Sequence, residues 1–233
     1  MGKPIKYVTS IVTIFFVFLL NGCTSSTDFQ IEDLAKTDIN QVSEIHMDQV
    51  KILLKTLTRK LYKMNSKELG KTPGATIDSQ IARIFQCPPV QPDKSLGDKE
   101  SVDAILLGFE PEFKGDRIFA MMYGLYTMVH ASYSKNCDFF ILDFLDGQSI
   151  YNSARNIEIF VWRLKTRHQP YGELFLITNV CDGPIENLSF ERIFGKLISL
   201  QDTMALIVST RKGRMIKEVL HMAGMAFLPV RIY

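Results

Sequence analysis

The run 116–134 constrains this chain more than any other part of it. Ile118, Phe119, Met121, Met122, Tyr123, Leu125, Tyr126, Met128 and Val129 fall on every side of a 3.6-residue repeat, so a helix here has almost no polar face. A helix that is apolar all round is stable only when other elements surround it. Asp116 stands where an N-cap belongs. Arg117 and His130 keep the uncharged stretch too short to cross a bilayer, which takes about 20 residues. The expectation is a buried central helix rather than a second membrane anchor.

The rest of the chain supplies the elements to surround it. Over 41–63, Val50, Leu54, Leu57 and Leu61 recur at helical spacing, with Leu53 alongside and lysines on the outer face. Asn65-Ser66 interrupts this pattern, and Ser66-Lys67-Glu68-Leu69 reads as one more turn before Gly70. After the Pro73-Gly74 turn, Thr76 looks like the N-cap of a short helix presenting Ile77, Ile81, Ile84 and Phe85. The proline-rich stretch 87–99 is a loop. The run 101–107 is ambiguous: a short helix capped by Ser101, or a buried strand ending at Gly108. Another loop covers 110–116, and 138–144 is strongly apolar.

Asp146-Gly147 marks a turn, followed by a helix over about 149–165 with Ile150, Ala154, Ile157, Val161 and Leu164 on one face. Arg167 opens a loop, 174–177 reads as a short strand or extended link, and Asp182-Gly183-Pro184 is a turn. Ser189 looks like the N-cap of the last long element, in which Ile193, Leu197, Leu200, Met204 and Ile207 recur. The pattern continues through Met215, Val219 and Met222, interrupted by Arg211, Lys212 and Arg214. It predicts one helix or two with a bend near Ser209-Thr210, stopping before Pro229. No strand-type alternation is sustained and no repeat period appears. The expected fold is all-α, an irregular bundle of about five to seven helices formed by residues 41–233.

The N-terminus points to a location. Lys3 and Lys6 precede a stretch without charge over 7–20, which ends in Leu20-Asn21-Gly22-Cys23. That architecture fits a signal peptide better than a membrane span. It resembles the lipobox of bacterial lipoproteins, in which cleavage after the small residue leaves the Cys acylated as the new N-terminus. The resemblance implies a signal peptide over 1–22, lipidation with palmitate-type chains at Cys23, and a tether over 23–40 whose polar start is Thr24-Ser25-Ser26-Thr27-Asp28. Thr24 rather than Asp after the Cys resembles lipoproteins sent on to the outer membrane. The expected place is therefore the cell envelope, on the outer membrane facing the periplasm.

Charge narrows the partners. The chain has 27 Lys and Arg against 25 Asp and Glu, and Lys3 and Lys6 would leave with the signal peptide, so the mature protein is formally neutral. Nucleic-acid binding has no electrostatic support. Cys87, Cys137 and Cys181 would remain besides Cys23, in a compartment that permits disulfides. An odd number allows one bridge at most within the chain. No CxxC spacing occurs and the four histidines are scattered, so neither a metal nor another cofactor is expected.

Three groups of residues could carry chemistry. Asn152, Arg155 and Asn156 share one face of their predicted helix, with Asp143 and Asp146 just upstream. Together they could hold a carboxylate or sugar-like ligand, or fasten the helix to its neighbours as a buried polar cluster. Glu110, Glu112 and Asp116 could do acid–base work, or be a solvated loop and a helix cap. Ser209-Thr210-Arg211-Lys212 fits S-x-x-K, but no Ser-Asp-Asn or Lys-Thr-Gly accompanies it. The lysines at 60, 63, 67 and 71 could rest on anionic headgroups or form a solvated face.

The stretches Leu61-Tyr62-Lys63-Met64-Asn65-Ser66-Lys67-Glu68-Leu69, Tyr151-Asn152-Ser153-Ala154-Arg155-Asn156-Ile157-Glu158 and Leu200-Gln201-Asp202-Thr203-Met204-Ala205 resemble a family of uncharacterised proteobacterial lipoproteins. That resemblance implies a helix-rich lipoprotein and transfers no catalytic residue. The expected role is a non-enzymatic adaptor or structural protein, attached to the membrane through its lipid anchor and bound to a periplasmic protein partner. The alternative is an envelope hydrolase or a small-ligand binding protein using the Asp143/Asp146/Arg155 region.

Overall fold

The computed structural model describes residues 38–87, 93–135, 145–178, 188–216 and 226–230. The chain separates into two units, Met1–Lys36 and Thr37–Tyr233, and every described residue belongs to the second. Cys23, Cys137, Asp143 and Cys181 lie outside the described residues. The described chain forms seven α-helices: α1 (Asp38–Met64), α2 (Ser66–Leu69), α3 (Ile77–Ile84), α4 (Ser101–Gly108), α5 (Arg117–Ser132), α6 (Gly147–Thr166) and α7 (Ser189–Arg211). No strand occurs among the described residues, and one isolated antiparallel bridge joins His168 to Leu174. The fold is an all-α bundle of about seven helices.

Helix α5 is its axis. Every one of its 16 residues is buried, as a helix with no polar face requires. Helix α4 packs along it, α6 pairs with α7, and α1 touches both α5 and α7. Val50, Leu54, Leu57 and Leu61 of α1 have no exposed surface at all, so the 3.6-residue spacing delivers one continuous stripe to the core. Phe109, at the end of α4, meets Phe160 of α6 and Phe175 edge-on, with ring centroids 6.2 and 5.8 Å away. Phe160 in turn meets Phe194 of α7 at 6.1 Å. This chain of edge-to-face contacts ties the two helix pairs together.

Three of the helix starts are set by side chains. Thr76 and Ser79 form a reciprocal capping box at α3. Asp116 accepts from the Phe119 N–H at α5, and Asp146 from the Ser149 N–H at α6. Arg117 is buried and turns back across the end of α4, donating to the carbonyls of Gly108, Glu110 and Pro111 at 2.8, 2.7 and 3.2 Å. Burial pulls its guanidinium below the usual value, with Glu68 opposing. The Gly108 carbonyl is one of the orphans of the α4 end, so Arg117 caps that end from the following helix while it also ties down the loop carbonyls of Glu110 and Pro111.

Three expectations are corrected. The ambiguous run 101–107 is helical, but Ser101 does not cap it. Ser101 takes a left-handed φ of +53°, and its N–H is satisfied by Thr127 Oγ1 of α5 at 2.8 Å. Ser189 is the first residue of α7 rather than its cap, and its hydroxyl accepts from Lys60 of α1. Helix α7 ends at Arg211, which rules out the single continuous helix and places the break close to Ser209-Thr210. Gly213 adopts φ +59°, and the Gly213 and Arg214 N–H groups fold back onto the carbonyls of Thr210 and Ser209. Val219 and Met222 lie outside the described residues.

Cys87 is disulfide-bonded. Its sulfur lies 3.3 Å from Nε2 of the buried His130 on α5. No described helix is long and apolar enough to cross a membrane.

Candidate functional site

Helix α6 carries Asn152, Arg155 and Asn156, and each of these three is engaged by another part of the chain. Asp146 caps the helix, its Oδ2 accepting from the Ser149 N–H at 3.1 Å and the Ser149 hydroxyl at 3.0 Å. Arg155 reaches sideways to α7. Its Nη2 lies 2.7 Å from Asp202 Oδ2 and 3.2 Å from Glu158 Oε1, and its guanidinium sits 4.9 Å from the centre of the Tyr151 ring. The pairing is one-pronged: Arg155 Nε and Asp202 Oδ1 are both buried without a hydrogen-bond partner. Burial raises the Asp202 carboxyl above the ordinary range, with the Arg155 charge opposing. Asp143 and Asp146 stand just upstream of Arg155 in the sequence. The acid that meets it comes from the next long helix, and no local signal marks it.

The two asparagines face a different way. Asn156 is fully buried and closes a two-bond ring with one residue of the C-terminal segment. Its Oδ1 accepts from the Leu228 N–H at 2.6 Å, and its Nδ2 donates to the Leu228 carbonyl at 2.8 Å. One turn earlier, Asn152 Nδ2 donates to the Pro229 carbonyl at 2.9 Å while its Oδ1 accepts from Gln148. The Arg163 guanidinium lies 4.8 Å from the centre of the Phe227 ring. The helical spacing of Asn152 and Asn156 thus forms a backbone clamp, and Asp143 lies outside the described residues.

Two depressions adjoin this face. One, of about 470 Å³, is lined by Asp146, Ser149, Asn152, Lys212 and Pro229 among others. The second, of about 600 Å³, is lined by Tyr151, Arg155, Asp202 and Leu206, and shares Ser209, Arg214 and Met215 with the first. The S-x-x-K residues diverge here. Ser209 is buried against Gly147, where a Cβ would stand 2.0 Å from its Oγ. The Lys212 ammonium donates to the Leu145 carbonyl. Of the acidic loop, Asp116 turns inward as the α5 cap, while the Glu110 carboxylate stays at the surface, 3.9 Å from Lys99. Among the lysines, Lys71 pairs with Glu68 and Lys60 lies over Phe190, whereas Lys63 and Lys67 are exposed. Among the described residues, no three His, Cys, Asp or Glu side chains are grouped to hold a metal ion.

Behind the clamp is a buried polar chain that the sequence did not reveal. Tyr133 donates to Gln201 Oε1 at 2.5 Å, Gln201 Nε2 donates to Ser153 Oγ at 2.8 Å, and Ser153 donates to the Ile150 carbonyl. Burial pushes the Tyr133 hydroxyl well above its ordinary value. His46 of α1 packs beside Tyr133, with ring centroids 6.3 Å apart, and its Nε2 is buried without a partner. Burial lowers the His46 pKa, with Gln201 opposing. The folded state therefore holds this histidine neutral, while in the unfolded chain it takes up a proton near its ordinary value of about 6.5. Its contribution is present above that value and is lost as pH falls through the lowered one. Urea unfolding at about pH 7 and pH 5 should show a loss of stability on acidification that shrinks in His46→Leu. An unchanged pH difference in the variant would exclude His46 as a source.

The chain matches no protein-family model, no curated protein and no solved structure.

Proposed function

We propose that this protein is a lipid-anchored component of the bacterial cell envelope, held to the outer membrane through acylated Cys23, and that it works by binding another protein. The observation that carries the anchor is the N-terminal pattern: two lysines, an uncharged apolar run, and Leu20-Asn21-Gly22-Cys23. Three acyl chains, which the lipobox resemblance implies, would make attachment effectively permanent, since each buried methylene contributes about 0.8 kcal/mol.

The binding role is supported by how α6 uses its polar side chains. Asn152, Arg155 and Asn156 hold other parts of the chain, and the two asparagines do so by engaging peptide backbone. A face that already engages an extended segment is suited to a protein partner.

Growth with an alkyne-bearing palmitate should label the wild-type protein and place it in the membrane fraction. Cys23→Ala should lose the label and leave the membrane. Label retained in Cys23→Ala, or absent from the wild type, would overturn the anchor.

A further inference from the structure

Residues 226–230 lie against α6 as an extended segment, held by the asparagine clamp. We propose that this trough is a peptide-binding site, occupied by the chain's own C-terminal segment, in which an extended apolar segment of a partner protein takes the same place. The inference deepens the binding role proposed above and rests on it for the nature of the partner.

The clamp reads backbone. A primary amide presents a donor and an acceptor side by side, as a peptide group does. Asn156 uses both on Leu228, in the way a neighbouring strand would. Asn152 adds the carbonyl of residue 229 and asks nothing of its N–H, so a proline fits there. Arg163 over the Phe227 ring favours an aromatic residue two positions earlier. The chemistry recognised is an extended aromatic–apolar–proline segment.

The resident segment is lightly held. None of its five residues is buried: Ala226 and Pro229 are exposed, and Phe227, Leu228 and Val230 are half-buried. The trough is also larger than its occupant. A depression of about 340 Å³ opens between the segment and Ser101, Val102, Asp103 and Met128, and the depression of about 470 Å³ begins at Pro229. Bulkier side chains have room at both places. Asn156, by contrast, is fully buried. Both halves of its amide are spent on the backbone of the segment, so a second peptide presenting the same groups can replace it bond for bond.

The test uses the detergent-solubilised full chain and a fluorescent peptide of sequence Met-Ala-Phe-Leu-Pro-Val-Arg. Anisotropy should show saturable binding. Phe227→Ala weakens only the resident segment, so the peptide should bind this variant about tenfold more tightly, because the competing occupant lowers apparent affinity by the fraction of open sites. Adding Asn156→Ala to Phe227→Ala should abolish binding. Asn156→Asp, which keeps the acceptor and loses the donor, should weaken it and serves if the alanine variant does not fold. No saturable binding to either the wild type or Phe227→Ala would overturn the proposal, as would binding unaffected by the Asn156 changes. Dimerisation of the free chain that the peptide reverses would make a second copy the occupant and overturn the partner assignment. Failure here would leave palmitate labelling of Cys23 untouched, so the two readings fail separately.

Discussion

Asp116→Ala is expected to lower the stability of the folded domain by about 3–5 kcal/mol, since it removes a cap and strands two buried donors together. Asp116 is only 6% exposed and joins three helices. Its Oδ1 accepts from the Phe119 N–H of α5 at 2.9 Å. Its Oδ2 accepts from the Tyr62 hydroxyl of α1 at 2.7 Å and the Gln80 amide of α3 at 3.0 Å. Beside it, Glu68 accepts from the Arg117 N–H at 2.7 Å, so two carboxylates meet the positive end of the central helix. Tyr62→Phe should cost far less, about 1 kcal/mol, because Asp116 keeps its other two partners. The double variant should cost less than the sum of the two single changes, as for any pair in one network. Urea denaturation of the four proteins measures this directly. Additive losses would mean that Tyr62 and Asp116 do not share the bond.

The two buried titrating groups on these networks oppose each other in pH dependence. Burial raises the Asp116 carboxyl, with its hydrogen bonds from Phe119, Tyr62 and Gln80 pulling the other way. The folded state binds that proton more firmly than the unfolded chain does. The stabilisation linked to it is complete at low pH and is lost as pH rises through the raised value. His46 behaves oppositely, because burial disfavours its charged form. The acid slope assigned to His46 is thus partly offset by Asp116 in its own titration range, and the Asp116→Ala background isolates it.

Local rules captured what is local. The apolar spacing of α1 and α5 and the caps at Thr76 and Asp116 are properties of a few neighbouring residues, and they stand in the structure where the sequence puts them, whereas Asp146-Gly147, read as a turn, is the cap and first residue of α6. The run 101–107 could not be resolved as helix or strand because a short, wholly apolar segment has no period to read. Its start carries no local signal, because the Ser101 N–H is satisfied by Thr127, which lies 26 residues away. Ser189 is likewise held by Lys60 across the bundle. The α6 face shows the same limit more sharply. Helical spacing put Asn152 and Asn156 on one side, yet their occupant comes from the C-terminal segment, where Pro229 had signalled only the end of a helix. Arg155 finds Asp202 instead of the nearby Asp146, whose carboxylate is already the cap of its own helix.

The close approach of α4 to α5 depends on a residue with no side chain, and this gives a sign test. A Cβ at Gly124 would stand 2.5 Å from the Ser101 carbonyl oxygen and 2.7 Å from the Ile105 nitrogen. Both are backbone atoms of α4, so no rotamer change relieves the clash and the two helices must separate. Separation would also stretch the Ser101–Thr127 hydrogen bond. Gly124→Ala is therefore expected to cost about 1–3 kcal/mol, and Gly124→Val more, despite the gain in helix propensity. Gly195 of α7 is the matched control. It is exposed, sits inside a helix, and has nothing within 4 Å of a built Cβ. There the same change removes the glycine penalty alone, so Gly195→Ala should stabilise by about 0.5–1 kcal/mol. Opposite shifts in the urea midpoint would measure how tightly α4 lies on the central helix. A Gly124→Ala variant as stable as Gly195→Ala would mean that α4 does not rest there.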